Sequence, residues 1–183
     1  KMKKTIFLSI FASFLLANNY AVENSDLTIN SKKVATIVIG SEFKIIKKGD
    51  KTSKISLQGY RPKGSKIIYD TLGVLSTSVI LDNNKSVKVL GTKLDEYENE
   101  WEIVSLEAFI DNSKITNNDV ISVGKELFEE RCGVCHALHS YDEFSKNVWP
   151  STIKSMQDNS GLDENEYYQV VKYLQRVAPS DDE

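Results

Sequence analysis

The chain has 183 residues, with 23 basic and 26 acidic side chains and a formal net charge of −3. Hydrophobic residues make up 40% and charged residues 27%, which is ordinary for a soluble globular chain of one or two domains. An acidic balance of this kind disfavours nucleic-acid binding, since nucleic-acid partners require a basic surface.

The first 21 residues have the pattern of a secretory signal peptide. Lysines precede an apolar run at residues 6–16, which is shorter than an ordinary transmembrane helix. Ala21 is the expected last residue before the cut, with Ala17 as the alternative, and retention as a membrane anchor is a further option. Without residues 1–21, which hold three lysines and no acidic residue, the net charge is −6.

Residues 22–112 are predicted to form a β-rich domain. Short β-branched runs, such as residues 34–39 and 101–106, alternate with turn signals. We expect a small β-barrel or sandwich, with an SH3-like form as one option. The domain would dock a partner protein or serve only as a spacer. We interpret the acidic cluster before Trp101 as a solvated loop rather than a metal site, and Trp101 as a core residue. The cluster comprises Asp95, Glu96, Glu98 and Glu100.

The only two cysteines lie in the segment Arg131-Cys132-Gly133-Val134-Cys135-His136. Cys132, Cys135 and His136 have the C-x-x-C-H spacing of c-type haem attachment. Residues three and four apart share a helix face. The two thiols can therefore form thioethers with the two vinyl groups of one haem, and His136 can ligate its iron from the proximal side. One covalent haem c is the predicted cofactor. Because c-type haem is attached outside the bacterial cytoplasm, the signal and the motif together predict the periplasm.

Two other chemistries use similar residues. A disulfide or a thioredoxin-like redox pair needs C-x-x-C but no histidine, and no βαβ pattern accompanies the motif. A zinc site from Cys132, Cys135, His136 and His139 would need all four ligands to form a tetrahedron around the ion. These four residues lie within two helical turns, whereas the two ligand pairs of a zinc site are usually well separated in the sequence.

Residues 113–183 are predicted to form an all-α haem domain, and this part of the chain resembles class I cytochromes c. A helix runs from about Val120 into the motif and carries Gly124 and Phe128 on one face. A last helix begins with a capping-box pattern at residues 163–166 and stops before Pro179. Gly124 would let this last helix approach closely near Tyr173. The predicted fold class is thus α+β, with the β-rich domain followed by the haem domain.

Met156 is the best candidate for the sixth iron ligand, because it is the only methionine beyond the signal segment. It follows Trp149-Pro150, which predicts a short helix with proline in its first turn. The alternative is that Met156 only fills a gap in the core. Lys154 and Lys146 are weaker candidates, and His139 lies too near the proximal side. We expect Trp149 to pack beside the haem, with a hydrogen bond to a propionate as an option.

Residues 128–174 resemble the mono-haem carboxy-terminal domain of the cytochromes that feed trimethylamine N-oxide reductase. The resemblance rests on residues 132–140, Trp149-Pro150, Ser155-Met156 and residues 172–175, and residues 59–61 and 67–69 resemble the β region before that haem. It implies a periplasmic electron carrier, itself not an enzyme, that passes single electrons to a molybdenum-containing N-oxide or S-oxide reductase. Longer family members carry a membrane-anchored multi-haem part that takes electrons from quinol. We expect a separate membrane or soluble donor here.

Two alternative functions remain open. One is a haem-based sensor or ligand-binding protein with an open or labile sixth coordination site. The other is an assembly module in which the β-rich domain docks a reductase.

Overall fold

The computed structural model describes residues 18–134 and 137–180. The predicted signal segment up to residue 17 lies outside the described residues, and so do Cys135 and His136. The strands are β1 (Asn19–Ala21), β2 (Ser25–Ile29), β3 (Lys32–Ile37), β4 (Glu42–Lys47), β5 (Thr52–Pro62), β6 (Ile67–Thr71), β7 (Val74–Leu81), β8 (Val87–Leu94), β9 (Glu100–Asp111) and β10 (Ile115–Thr116). The helices are α1 (Val123–Leu127), α2 (Trp149–Ser160) and α3 (Glu164–Val177), with a π-helical turn at Phe128–Cys132 directly after α1.

Over the described residues, the strands form one antiparallel sheet in the order β10-β1-β4-β5-β6-β7-β3-β2-β9-β8. β5 also pairs with β9 along its whole length, from Thr52 opposite Asp111 to Pro62 opposite Trp101. This extra pairing closes a ring through β5, β6, β7, β3, β2 and β9.

The alternation of buried and exposed residues along β5 and β9 shows which face of the sheet covers the core. In β5, every second residue from Ser53 to Arg61 is buried, and β9 follows a similar pattern. Since successive side chains of a strand point to opposite faces, one face of each strand enters the core. The largest fully buried side chains of this core are Leu27, Ile37, Ile55, Ile68, Leu106 and Ile110.

The predicted fold class, a small β-barrel or sandwich followed by an all-α class I cytochrome c-like haem domain, is wrong. The structure is mostly antiparallel sheet with a few helices packed on it. The sheet continues beyond residue 112, because β10 at Ile115–Thr116 pairs with β1. The expected long first helix is reduced to α1, five residues, and the π-helical turn. So short a C-terminal segment buries too little apolar surface to stand alone, and its helices rest on the sheet.

Specific polar contacts join the helical part to the sheet. Asn165 of α3 accepts a hydrogen bond from the backbone N–H of Asn24 at 2.7 Å. Before α2, Asn147 accepts one from the N–H of Leu75 at 2.8 Å and donates one to the carbonyl of Gly73 at 2.8 Å. The turn between β6 and β7 is therefore held against the segment that leads into α2.

Gly124 lies where α1 crosses α3. A Cβ atom added to Gly124 would lie 2.2 Å from the carbonyl oxygen of Gln169 and 2.8 Å from the Cβ of Tyr173. Only a residue without a side chain allows two helix backbones to come so close. The prediction that Gly124 meets the last helix near Tyr173 is confirmed.

The ends of α2 and α3 follow local sequence signals. Asp163 accepts a hydrogen bond from the N–H of Glu166 at 2.9 Å, and Glu166 accepts one from the N–H of Asp163 at 3.0 Å, so the predicted capping box is confirmed. α3 ends at Val177, before Pro179, and α2 ends at Ser160 and is followed by Gly161, whose φ of 67° suits glycine. Within the described part of the chain, no helix combines the length and the apolar character needed to cross a membrane.

Candidate haem-binding site

A second apolar cluster lies among the helices and brings three of the predicted site residues together. Cys132 and Trp149 are buried members, and Met156 packs against them partly buried. Cys132 ends the π-helical turn, whereas Trp149 and Met156 both lie on α2. We call this group the Cys132 cluster, and its buried members are Phe128, Cys132, Trp149, Ile153, Leu162, Val170, Val171, Leu174 and Ala178.

The surroundings of Cys132 are apolar. Its side chain is 8% exposed, and burial raises the pKa of its thiol above the ordinary value. Loss of solvation disfavours the charged thiolate, whereas a redox-active cysteine of the thioredoxin type needs a lowered pKa. A thioether carries no charge and has no such conflict with burial. The position of Cys132 therefore favours the haem interpretation over the redox pair.

Trp149 is a central packing residue of the cluster. It is fully buried and makes edge-to-face contacts with Phe128 and Phe144, at centroid distances of 5.6 Å and 5.0 Å. Its Nε1–H donates a hydrogen bond to the carbonyl of Tyr141 at 3.3 Å. A hydrogen bond to a haem propionate would require that N–H to leave this carbonyl, so packing beside the haem is the role that we retain as a prediction.

Met156 lies on the helix that the sequence predicted. α2 begins at Trp149 and has Pro150 in its first turn, as expected from the missing N–H of proline. Met156 is about two turns further along and packs against the buried side chains of the Cys132 cluster. Its sulfur and the thiol of Cys132 therefore belong to the same apolar environment.

The other candidates for the sixth ligand have different surroundings. Lys154 donates a hydrogen bond to Gln157 Oε1 at 2.7 Å. Lys146 lines a cleft of about 470 Å³ between α3 and the sheet. The Nδ1 atom of His139 lies 2.9 Å from Glu143 Oε2. Met156, whose neutral thioether packs against the apolar cluster, stays the predicted sixth ligand.

Phenol groups around the cluster stay protonated at neutral pH. Tyr141 donates a hydrogen bond to Glu129 Oε1 at 2.6 Å, and desolvation together with this carboxylate raises the pKa of Tyr141 far above its usual value. Tyr167 donates to the carbonyl of Pro150 at 3.1 Å, and desolvation raises its pKa to about 12. These phenols add hydrogen bonds but no charge to the surroundings of Cys132.

The described residues fit a covalently attached haem. One attachment thiol, one candidate axial sulfur and several aromatic rings share one apolar cluster, which is the kind of apolar environment that a c-type haem needs. No group of three or more His, Cys, Asp and Glu side chains within residues 18–134 and 137–180 could hold a metal ion. Cys135 and His136 lie outside these ranges, so the zinc alternative is not tested.

The acidic segment before Trp101 shapes a turn. Asp95 accepts hydrogen bonds from the N–H groups of Tyr97 at 3.0 Å and Asn99 at 2.8 Å, and from Nε1 of Trp101 at 2.8 Å. Desolvation alone would raise the pKa of Asp95, but these hydrogen bonds outweigh it and lower the pKa. Trp101 is 6% exposed and packs edge-on against Tyr69. The prediction that Trp101 is a core residue is confirmed.

Sequence reasoning missed a buried polar contact between α3 and the sheet. Lys172 is buried, and its Nζ lies 3.0 Å from Asp70 Oδ2, which also accepts a hydrogen bond from Ser76 at 2.9 Å. Gln175, one turn further along α3, is also buried and donates to the carbonyl of Lys146 at 3.1 Å. On an amphipathic helix, lysine and glutamine are normally assigned to the solvent face, so the sequence carried no signal for this contact.

Comparison with known proteins finds similarity to c-type cytochromes. The chain is 27% identical over 151 residues to the cytochrome c-type protein TorY of Escherichia coli O157:H7, an alignment that covers 80% of this chain and 41% of TorY. It is 23% identical over 150 residues to the cytochrome c-type protein TorC of Escherichia coli strain K12, with 78% and 38% covered. No family model matches the chain, and no solved structure matches it.

These similarities support the resemblance to c-type cytochromes that the motif and its surroundings suggested. The chain spans about two fifths of the length of the curated relatives that it matches. The number of haems and the identity of the redox partners remain predictions.

Proposed function

We propose that this protein is a periplasmic mono-haem c-type cytochrome that transfers single electrons. The observation that carries the proposal is the Cys132 cluster, in which the first cysteine of the C-x-x-C-H motif shares an apolar environment with Met156. The similarity to proteins named as cytochromes c-type supports it independently. The protein would be an electron carrier rather than an enzyme.

Each predicted site residue has a distinct role in this proposal. Cys132 and Cys135 would hold the haem by adding their S–H groups across its vinyl double bonds, a step that consumes no oxidant. His136 and Met156 would be the protein ligands of the iron, and Trp149 would pack against the haem. The haem supplies the one-electron redox chemistry, while the protein tunes its potential through the axial ligands and through burial.

We further propose that the electron acceptor is a periplasmic molybdoenzyme that reduces N-oxides or S-oxides, such as trimethylamine N-oxide reductase. The support is the resemblance of residues 128–174 to the haem domain of the cytochromes that feed this enzyme. The donor would be a separate membrane-bound or soluble protein. Reoxidation of the reduced cytochrome on mixing with the purified reductase and N-oxide tests the acceptor. No reoxidation would remove this partner from the proposal.

The visible spectrum of the exported protein, oxidised and reduced, tests the haem assignment. We expect a covalent c-type haem and, in the ferric state, the weak far-red band of methionine bound to iron. Covalent haem without that band would instead support a sensor or ligand-binding protein with an open or labile sixth site. The absence of covalent haem from the matured protein would refute the proposal itself.

Replacing Met156 identifies the sixth ligand. Met156→Leu removes the sulfur while nearly conserving volume, so we expect loss of the far-red band with a change in the free energy of unfolding below about 1.5 kcal/mol. Ile153→Val is the matched control, because Ile153 is buried on the same helix and carries no possible ligand. If the band persists in Met156→Leu, Met156 is a packing residue and another side chain closes the iron.

A further inference from the structure

The hairpin formed by β4 and β5 carries a concentration of lysine that contrasts with the rest of the chain. Residues 44–54 contain five lysines and one acidic residue, whereas the whole chain has a net charge of −3. The side chains of four of these lysines, Lys44, Lys47, Lys48 and Lys51, are exposed, and their ammonium groups make no hydrogen bond or ion pair within the part of the chain that the structure describes. The fifth, Lys54, pairs with Glu107 at 2.6 Å.

Strand register places several of these lysines on one face of the sheet. Ile55 is buried in the core, so its neighbours Lys54 and Ser56 point outward. Across the strand pair, Lys44 stands opposite Ser56 and Lys47 stands opposite Lys54. Lys44, Lys47 and Lys54 therefore share the outer face.

Two large apolar side chains lie beside these lysines. Phe109 of β9 stands opposite Lys54 and is 37% exposed, and Ile46, at the register shift in β4, is 48% exposed. Lys47 stands opposite Lys54, a like-charge pairing that disfavours the strand pair and that the ion pair of Lys54 with Glu107 only partly offsets. Folding alone thus does not account for this mixture of cations and exposed apolar groups. We call it the basic patch, which comprises Lys44, Ile46, Lys47, Lys48, Lys51, Lys54 and Phe109.

We propose that the basic patch docks the protein on an anionic phospholipid surface. The patch contains lysine and no arginine, whereas protein–protein interfaces are enriched in arginine and depleted of lysine. The lysine ammonium is a point charge on a flexible stem, which suits the dispersed phosphates of a lipid surface. The planar guanidinium of arginine suits ion pairs of fixed geometry, such as bidentate pairs with protein carboxylates. Exposed aliphatic and aromatic side chains beside cations are the groups that enter the boundary between headgroups and acyl chains.

Docking of this kind is reversible and depends on salt. Each lysine near an anionic bilayer strengthens binding about fivefold. In 0.1 M salt this attraction is screened beyond a distance of about 10 Å. The acidic groups at and beside the patch, Glu42, Asp50, Glu107 and Asp111, are outnumbered by its five lysines. The inference does not depend on the haem assignment, but docking would hold an electron carrier close to a membrane-bound donor.

Sedimentation with lipid vesicles tests the proposal on the purified exported protein. The probes are vesicles of phosphatidylcholine alone and vesicles with about one third phosphatidylglycerol, at low and at high salt. We expect binding only to the anionic vesicles, and loss of binding at high salt. The quadruple variant Lys44→Gln, Lys47→Gln, Lys48→Gln, Lys51→Gln is expected to bind at least about 50-fold more weakly, since four lysines are removed.

A matched control separates this patch from the overall charge. Lys32→Gln, Lys63→Gln, Lys66→Gln, Lys125→Gln removes four exposed lysines outside the β4–β5 hairpin and should bind like the wild type. Equal weakening by both quadruple variants would mean that net charge alone acts, and would overturn the proposal. Failure of the wild type to bind anionic vesicles would overturn the proposal as well. That result is also the one expected if the patch binds an acidic protein and not a membrane. Visible and far-UV circular dichroism spectra of each variant, recorded on the same samples, show whether it is folded.

Discussion

The replacement Gly124→Ala tests the crossing of α1 and α3. The new Cβ would lie 2.2 Å from the carbonyl oxygen of Gln169, where ordinary contacts begin at about 3.4 Å, so one helix must move by more than 1 Å. Overpacking of this kind costs about 1–3 kcal/mol, and backbone atoms cannot rotate away as a side chain can. Alanine favours a helix over glycine by about 1 kcal/mol. Because the clash is with backbone, we take the upper end of the overpacking range, about 3 kcal/mol, which leaves a net loss of about 2 kcal/mol.

Urea unfolding followed by tryptophan fluorescence measures this loss. Gly91→Ala is the control, because an added Cβ at Gly91 meets no atom within 4 Å, and its effect should stay within about 0.5 kcal/mol. The sign of the change in the free energy of unfolding of Gly124→Ala decides whether the close helix crossing or helix propensity dominates. If that variant is more stable than the wild type by about 1 kcal/mol, helix propensity dominates and the close crossing is refuted.

Three further outcomes are expected. Asp70→Asn should destabilise the fold by about 2–3 kcal/mol and Lys172→Met by about 1 kcal/mol. The reason is that Asp70→Asn leaves the Lys172 ammonium, which is 5% exposed, without its counter-ion, whereas Lys172→Met leaves the Asp70 carboxylate, which is 36% exposed and remains solvated. Equal losses in urea unfolding would contradict the buried role of Lys172. At Asp119, desolvation would raise the pKa, but hydrogen bonds from its arginine partner and from the backbone lower it below the unfolded value. Ionised Asp119 therefore stabilises the fold above about pH 4, and this stabilisation is lost as the pH falls through the pKa of Asp119 in the folded protein. In Asp119→Asn, the free energy of unfolding should fall less steeply at acid pH than in the wild type, and an unchanged dependence on pH would contradict this. Because Ala21 is buried and paired in β1, N-terminal sequencing of the exported protein should show cleavage after Ala17, and cleavage after Ala21 would refute the reasoning.

Local signals predicted the helical landmarks correctly. The capping box at Asp163, the proline in the first turn of α2 and the close approach at Gly124 each depend on a few neighbouring residues and on helical periodicity. The same locality let the sequence place Trp149 and Met156 on one helix. Their membership of the Cys132 cluster, however, depends on how α2 packs against α3, which no local pattern states.

The fold class was wrong because it depends on pairings between distant residues. The change in composition near residue 112 indicated a boundary, but β10 lies beyond it and pairs with β1, almost a hundred residues earlier in the chain. Two-residue strands such as β10 carry no periodic signal of their own. The closure of the sheet by β5 and β9 is likewise a long-range pairing.

The sequence by itself determined the local helix signals, since caps and prolines act within a few residues, and it predicts the haem chemistry of the C-x-x-C-H motif and export of the chain. Only the tertiary structure decided that Lys172 is buried against Asp70 and that the lysines of β4 and β5 share one outer face with Phe109. The physical reason is that burial and strand register arise from contacts between segments far apart in the chain. The charge of a side chain is written in the sequence, but its neighbours are set by the fold.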